Sequence, residues 1–141
     1  MTPAQNVLRS VRMVHAVFLL TILLFAFLLI RTEHFPKGVL SPVVPIAISL
    51  CVCWDIGIAF FFRATKLAPA LEALRTNPND PAALTQWRAQ NILSFCFAET
   101  VVLMGFVLKF QGAEWKIAGI FFAVGILLLL LWTPRLDVPT Q

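Results

Sequence analysis

The chain has 141 residues, of which 60% are hydrophobic and 13% are charged, and its mean hydropathy is +0.87. Soluble domains contain roughly 45 to 50% apolar residues, so this composition excludes an ordinary soluble domain and indicates a polytopic membrane protein. The formal net charge of +4 fits anionic lipid headgroups better than nucleic acid.

Four apolar runs follow one another along the chain, each close to the roughly 20 residues that cross a bilayer core of about 30 Å. Backbone polar groups in lipid must be satisfied within the segment, so each run is predicted to be a helix. The first run is uncharged from Met13 to Ile30, longer than the core of a signal peptide, and is predicted to be a retained anchor. We predict one all-α transmembrane domain over residues 1–141, with helices at about 12–31, 42–63, 81–110 and 114–133.

The connection over residues 64–80 is predicted to lie at the cytoplasmic interface. Leu67, Leu71 and Leu74 recur there at helical spacing, which favours a short amphipathic helix that packs against the bundle.

Turn-forming residues mark both ends of the third run. Asp80 and Pro81 predict the N-cap and first residue of its helix. Gly112 predicts its end, in a tight hairpin over residues 111–113 that makes the third and fourth helices antiparallel neighbours.

Lys and Arg residues predict the orientation. Seven of them fall before the first run, in or beside the central connection, or in the C-terminal tail: Arg9, Arg12, Arg63, Lys66, Arg75, Arg88 and Arg135. Four fall on the other side: Arg31, Lys37, Lys109 and Lys116. The positive-inside rule therefore predicts a multi-pass protein of a bacterial-type inner (plasma) membrane with both termini in the cytoplasm.

Two carboxylates, Asp55 and Glu99, interrupt the apolar runs and are the main functional candidates. An ionised acid at the centre of a bilayer costs about 2.5 to 3.5 kcal/mol, so such residues face a bundle interior, a partner or a pathway. Counted from Arg63 and Arg88, the two acids lie about 12 and 16 Å from the same membrane face, at similar depth on adjacent helices. Two interpretations stay open: an ion-binding pair, or carboxyl groups that tie helices together by hydrogen bonds.

Other side chains predict no further chemistry. Cys51 and Cys96 are possible neighbours of the acids, one turn before Asp55 and Glu99 respectively, but the cysteines do not have metal-ligand spacing. His15 is predicted to be a solvated interfacial histidine. The chain contains no nucleophile elbow, phosphate loop or zinc signature, so we predict no enzyme, no metal and no cofactor.

Residues Ala98 to Leu108, with the sequence AETVVLMGFVL, place Gly105 six residues after Glu99 and follow it with an aliphatic run. This segment resembles the carboxylate helix of rotary ATP synthase c subunits. The resemblance implies that Glu99 is an ion-binding carboxylate and that Thr100 is a neighbouring ligand.

The leading functional prediction is a non-enzymatic accessory or structural subunit of a larger membrane complex. One alternative is a proton- or cation-translocating component that uses the intramembrane carboxylates, and another is a binder of lipid, quinone or pigment. Expected partners are membrane lipids and either other membrane subunits or further copies of this chain, with no nucleic acid.

Overall fold

The computed structural model describes residues 2–31, 41 and 43–136, and this part of the chain contains no strand. The elements in chain order are α1 (Pro3–Arg31), α2 (Val43–Phe62), a π-helical turn (Arg63–Leu67), α3 (Ala68–Thr76), α4 (Pro81–Phe110) and α5 (Trp115–Leu131). The π turn joins α2 to α3 without a break, so the described chain forms four helices. The predicted all-α class is confirmed. The predicted start of the second helix at residue 42 lies outside the described residues.

Three of these helices are long and apolar enough to cross a membrane, by length and composition: α1, α4 and the continuous helix Val43–Thr76. The fourth, α5, is equally apolar but has 17 residues. At 1.5 Å per residue it is about 25 Å long. Few residues of α1 and α2 are buried inside the chain, and many large apolar side chains face outward. This distribution is compatible with a membrane protein.

Helix α1 begins at Pro3, earlier than the predicted residue 12. The reason is a capping box: the Gln5 backbone N–H donates to the Thr2 hydroxyl at 3.3 Å, and the Thr2 N–H donates to the Gln5 side-chain oxygen at 3.0 Å. Pro3 occupies the first helical position, where its missing N–H costs nothing. The buried stripe of this helix starts in its first turn, at Ala4, which is fully buried.

The π turn keeps one face of the long helix against α4. Buried residues are seven apart from Val52 to Ala59 and again from Leu67 to Leu74, but eight apart from Ala59 to Leu67. The wider turn, closed by a bond from the Ala68 N–H to the Arg63 carbonyl, absorbs the extra residue. The α3 leucines therefore pack against the bundle, as their spacing predicts.

Both predicted caps of α4 are confirmed. The Asp80 side chain accepts hydrogen bonds from the backbone N–H groups of Ala82 at 2.9 Å and Ala83 at 3.3 Å. At the other end Gly112 has a φ of 96°, and the N–H of Ala113 bonds the Leu108 carbonyl at 3.0 Å. This is a Schellman motif, whose left-handed residue favours glycine.

Helix α4 is the central element, because α1, α2, α3 and α5 all contact it. Its tightest neighbour is α5, the partner predicted from the short hairpin. A Cβ on Gly105 would lie 2.8 Å from the Phe121 Cβ, and one on Gly125 would overlap the Val102 side chain and lie 2.9 Å from the Ala98 carbonyl oxygen. The two backbones approach this closely because both contact points are glycines, and small residues have the same role in close helix pairs of membrane proteins.

Candidate functional site

Asp55 lies on the face of α2 that packs against α4. Residues about one turn away in each direction, Val52 and Ala59, are both buried. Among the described helices, the backbone of α2 lies close to α4 but not to α1 or α5, and the Phe60 side chain meets the Trp132 ring just after α5. The half-buried Asp55 side chain is therefore placed along the interface between α2 and α4.

Two polar contacts set the register between this long helix and α4. The Gln86 side-chain amide donates to the Lys66 carbonyl at 3.1 Å, and the Arg63 guanidinium donates to the Ser94 hydroxyl at 3.1 Å. Counting along the two antiparallel helices from these contacts brings Asp55 level with residues 97–102 of α4. Glu99 and Asp55 therefore lie at similar depth.

The two acids lie on different sides of α4. Glu99 follows Phe95 by one turn and precedes Phe106 by two turns, and both rings pack against aromatic side chains of α1, at centroid distances of 4.9 and 5.4 Å. Ser94, which contacts the end of α2, is about 140° around the helix from Glu99 at 100° per residue. Glu99 is thus directed toward the α1 side and Asp55 lies on the α2 side.

A strip of α4 stays uncovered between α1 and α2, which do not contact each other. Cys96, Leu103 and Val107 are exposed along this strip, and the half-buried Glu99 lies at its edge. We call these four residues and the flanking walls of the two helices the α1–α2 groove. On α4 its polar groups are Glu99, the Cys96 thiol and the neighbouring Thr100 hydroxyl.

Neither Asp55 nor Glu99 accepts a hydrogen bond from, or forms an ion pair with, any described residue. Thr100 donates its hydroxyl to the Cys96 carbonyl at 2.9 Å, one turn back in its own helix. Cys51 and Cys96 are both exposed. Each carboxylate is therefore without a donor from the neighbouring helices of the described chain.

The prediction that His15 is solvated is wrong. His15 is 9% exposed, and its Nε2 lies 3.0 Å from the carbonyl oxygen of Leu129 in the last turn of α5. Carbonyls in a last helical turn lack intrahelical partners, so the imidazole satisfies one of them. The pattern that could have revealed this is the spacing of His15 from the buried Val11 and Ile22, four and seven residues away.

The sequence pattern assigned no contact to Arg63, which served there as a positive charge and as the end of an apolar run. Besides its bond to Ser94, its guanidinium lies over the Trp132 ring, 5.1 Å from the ring centroid. Arg63 thus joins the end of α2 to α4 and to the residue that ends α5. Its position just after an apolar run is the one signal in the sequence.

Comparison with known proteins gives no match. This holds for protein-family models, for curated proteins and for solved structures alike. Among the described residues, no three His, Cys, Asp or Glu side chains come together in a way that would hold a metal ion. Function is therefore inferred from the geometry of the carboxylates and of the helix ends.

Proposed function

We propose that this chain is a non-enzymatic accessory subunit of a larger membrane complex, and that the α1–α2 groove receives a transmembrane helix of another subunit. The observation that carries this proposal is Glu99. Its carboxylate lies deep in a long apolar helix, at the edge of an open groove, and no described residue donates to it.

An acid without a hydrogen-bond partner in this position destabilises the protein in a membrane. The ionised form costs about 2.5 to 3.5 kcal/mol at the centre of a transmembrane helix, and a neutral carboxyl group still loses its hydrogen bonds to water. Docking of a helix with a donor at the same depth offsets this cost, while lipid tails provide no donor. The exposed α4 residues that follow Glu99 along the groove, Leu103 and Val107, are apolar, which suits the apolar remainder of such a helix.

The occupant we propose carries a basic or amide side chain near the middle of its span. A second copy of this chain fits the groove less well, because its Lys and Arg residues lie outside the apolar runs. The nearest on α4 are Arg88 and Lys109, about 16 and 15 Å along the helix from Glu99. The amides of such a copy, Gln90 and Asn91, lie near the start of the third run and not at its middle, and Asn91 already donates to the Trp87 carbonyl. Another subunit is therefore the better partner.

The same proposal includes four membrane spans with both termini in the cytoplasm. It is supported by the bias of seven to four in Lys and Arg residues, and by the close packing of the apolar α5 against α4. At about 25 Å, α5 falls just short of the hydrocarbon core, at the lower end of the range for transmembrane helices.

Site-specific photocrosslinking in native membranes tests the groove. A photoreactive residue replaces Leu103 or Val107 in the groove, or Leu127 or Leu130 on the exposed face of α5 as matched controls. We expect both groove positions to give the same heteromeric product and the control positions to give none. The crosslinked peptide should belong to a transmembrane segment with a donor side chain, and Glu99→Leu should reduce the yield.

Two results would contradict the proposal. A product with the mass of two copies of this chain would assign the groove to self-association. The second contradicting result is a proton flux across liposomes that contain the purified chain, if this flux is lost in Glu99→Gln. Such a flux would favour the ion-translocating alternative. An accessory subunit should give only background flux, both as the unmodified chain and as Glu99→Gln.

A further inference from the structure

The π turn, α3, α4 and the end of α5 line an open cavity of about 410 Å³ that is separate from the α1–α2 groove. Its lining combines two arginines and two other polar residues with apolar side chains: Arg63, Leu67, Leu71, Trp87, Asn91, Leu130, Leu131, Thr133 and Arg135. We call it the Arg63–Arg135 pocket. No acidic residue in the described part of the chain lines it, and the charged residues of its described lining are both positive.

The guanidinium groups retain unused donors. A guanidinium has five N–H donors, and Arg63 donates one hydrogen bond, to Ser94, within the described chain. Its side chain is half-buried and held against Trp132, so the group is already oriented. Arg135 is exposed and makes no hydrogen bond or ion pair with the described residues. Within the described residues neither cation has a carboxylate partner, and this points to an anionic ligand.

The neutral polar groups of the pocket are partly used within the chain. One N–H of the Asn91 side-chain amide donates to the Trp87 carbonyl at 2.8 Å, and the Thr133 hydroxyl donates to the Leu130 carbonyl at 2.7 Å. The two arginines are the charged donors of the site. Arginine suits phosphate because its planar, forked N–H groups bind two oxygens at once.

From these observations we infer that the Arg63–Arg135 pocket binds a phosphate group. The surroundings favour a phospholipid headgroup as its source. The apolar wall of the pocket continues to Leu130 and Leu131, which are 56% and 66% exposed and would contact acyl chains. Basic pockets at the cytoplasmic ends of transmembrane helices are a common site for anionic lipids. This inference does not depend on the partner helix proposed for the groove.

The π turn contributes to the pocket by its position. Arg63 is its first residue and Leu67 its last, and both line the cavity. Because the extra residue keeps α3 packed on α4, Leu67 and Leu71 form one wall while Arg63 reaches toward Trp132. Turns of π-helix are frequent at functional sites.

Native mass spectrometry of the full chain in mild detergent tests the inference by titration with phosphatidylglycerol. Charge-assisted hydrogen bonds contribute about 1.5 to 3 kcal/mol each, so Arg135→Gln should weaken binding about 10-fold or more. Arg63→Gln should have a similar effect. Arg75→Gln is the matched control, because Arg75 is an exposed arginine paired with Glu72 outside the pocket, and it should bind like the unmodified chain.

A second arm of the titration identifies the source of the phosphate. Phosphatidylcholine should bind weakly, and inorganic phosphate should not displace the lipid at millimolar concentration. If inorganic phosphate displaces the lipid, the pocket still binds phosphate, but its ligand is a soluble phosphate compound and not a lipid. Equal weakening by Arg135→Gln and Arg75→Gln, or equal binding of the two lipids, would overturn the inference. Because Arg135 is exposed near the end of the described chain, Arg135→Gln decides the question even if Arg63→Gln fails to fold.

Discussion

Replacement of Gly125 by alanine tests the close contact between α4 and α5. The new Cβ would overlap the Val102 side chain and lie 2.9 Å from the carbonyl oxygen of Ala98. Val102 can change its side-chain torsion, but the Ala98 carbonyl belongs to the α4 backbone and moves only with the helix. We therefore expect α4 and α5 to separate locally.

The expected magnitude follows from the cost of adding a methyl group to a filled interface, about 1 to 3 kcal/mol. That is roughly a 5- to 150-fold change in the folding equilibrium constant, at 1.4 kcal/mol per factor of ten. The change would appear as a lower midpoint when the chain is unfolded by increasing the fraction of a denaturing detergent in mixed micelles.

Gly119→Ala is the matched control, because it makes the same substitution in the same helix. A Cβ on Gly119 would meet no atom within 4 Å. Alanine has a higher helix propensity than glycine, so this variant should be as stable as the unmodified chain or slightly more stable. If Gly125→Ala and Gly119→Ala unfold at the same midpoint, the close packing of α4 on α5 is refuted.

Three further outcomes are expected. His15→Phe should retain an aromatic ring but lose the bond to the Leu129 carbonyl, lowering stability in the same unfolding assay by about 0.5 to 1.5 kcal/mol; an unchanged midpoint would show that the bond contributes nothing. Asp80→Ala should remove the α4 N-cap and cost about 1 kcal/mol, while Asp80→Asn retains a capping oxygen and should cost much less; equal losses would contradict the capping role. In a chain without its native cysteines, a membrane-impermeant maleimide should label Gln111→Cys in intact cells but Arg75→Cys only after permeabilisation, and the reverse pattern would contradict the orientation.

Local signals predicted the helix ends correctly where a short-range hydrogen bond decides them. Asp80 caps α4 because its side chain reaches N–H groups two and three residues ahead, and Gly112 ends it because glycine tolerates a positive φ. The residues of the capping box, Thr2 and Gln5, are an equally local signal, but the start of α1 was predicted at the charged Arg12. A charged residue limits the part of a helix that can lie in lipid, and it does not by itself end the helix.

The π turn could not be predicted from the residues next to it in the sequence. Arg63 and Lys66 end an apolar run, and this change in composition predicts an interfacial segment after a helix. The helix nevertheless continues, because Leu67, Leu71 and Leu74 lie in the π turn and α3, which pack against α4. Packing with a distant element therefore decides whether the chain turns there.

By itself, the sequence determined that this protein is helical, rich in apolar helices and carries two carboxylates deep within them. These properties depend on composition and on contacts a few residues long. The tertiary structure decided which side of α4 each carboxylate occupies, that His15 bonds the end of α5, and that Arg63 and Arg135 share a pocket. Those arrangements depend on how helices rotate about their axes when they pack, and for largely apolar helices the sequence pattern alone leaves that rotation open.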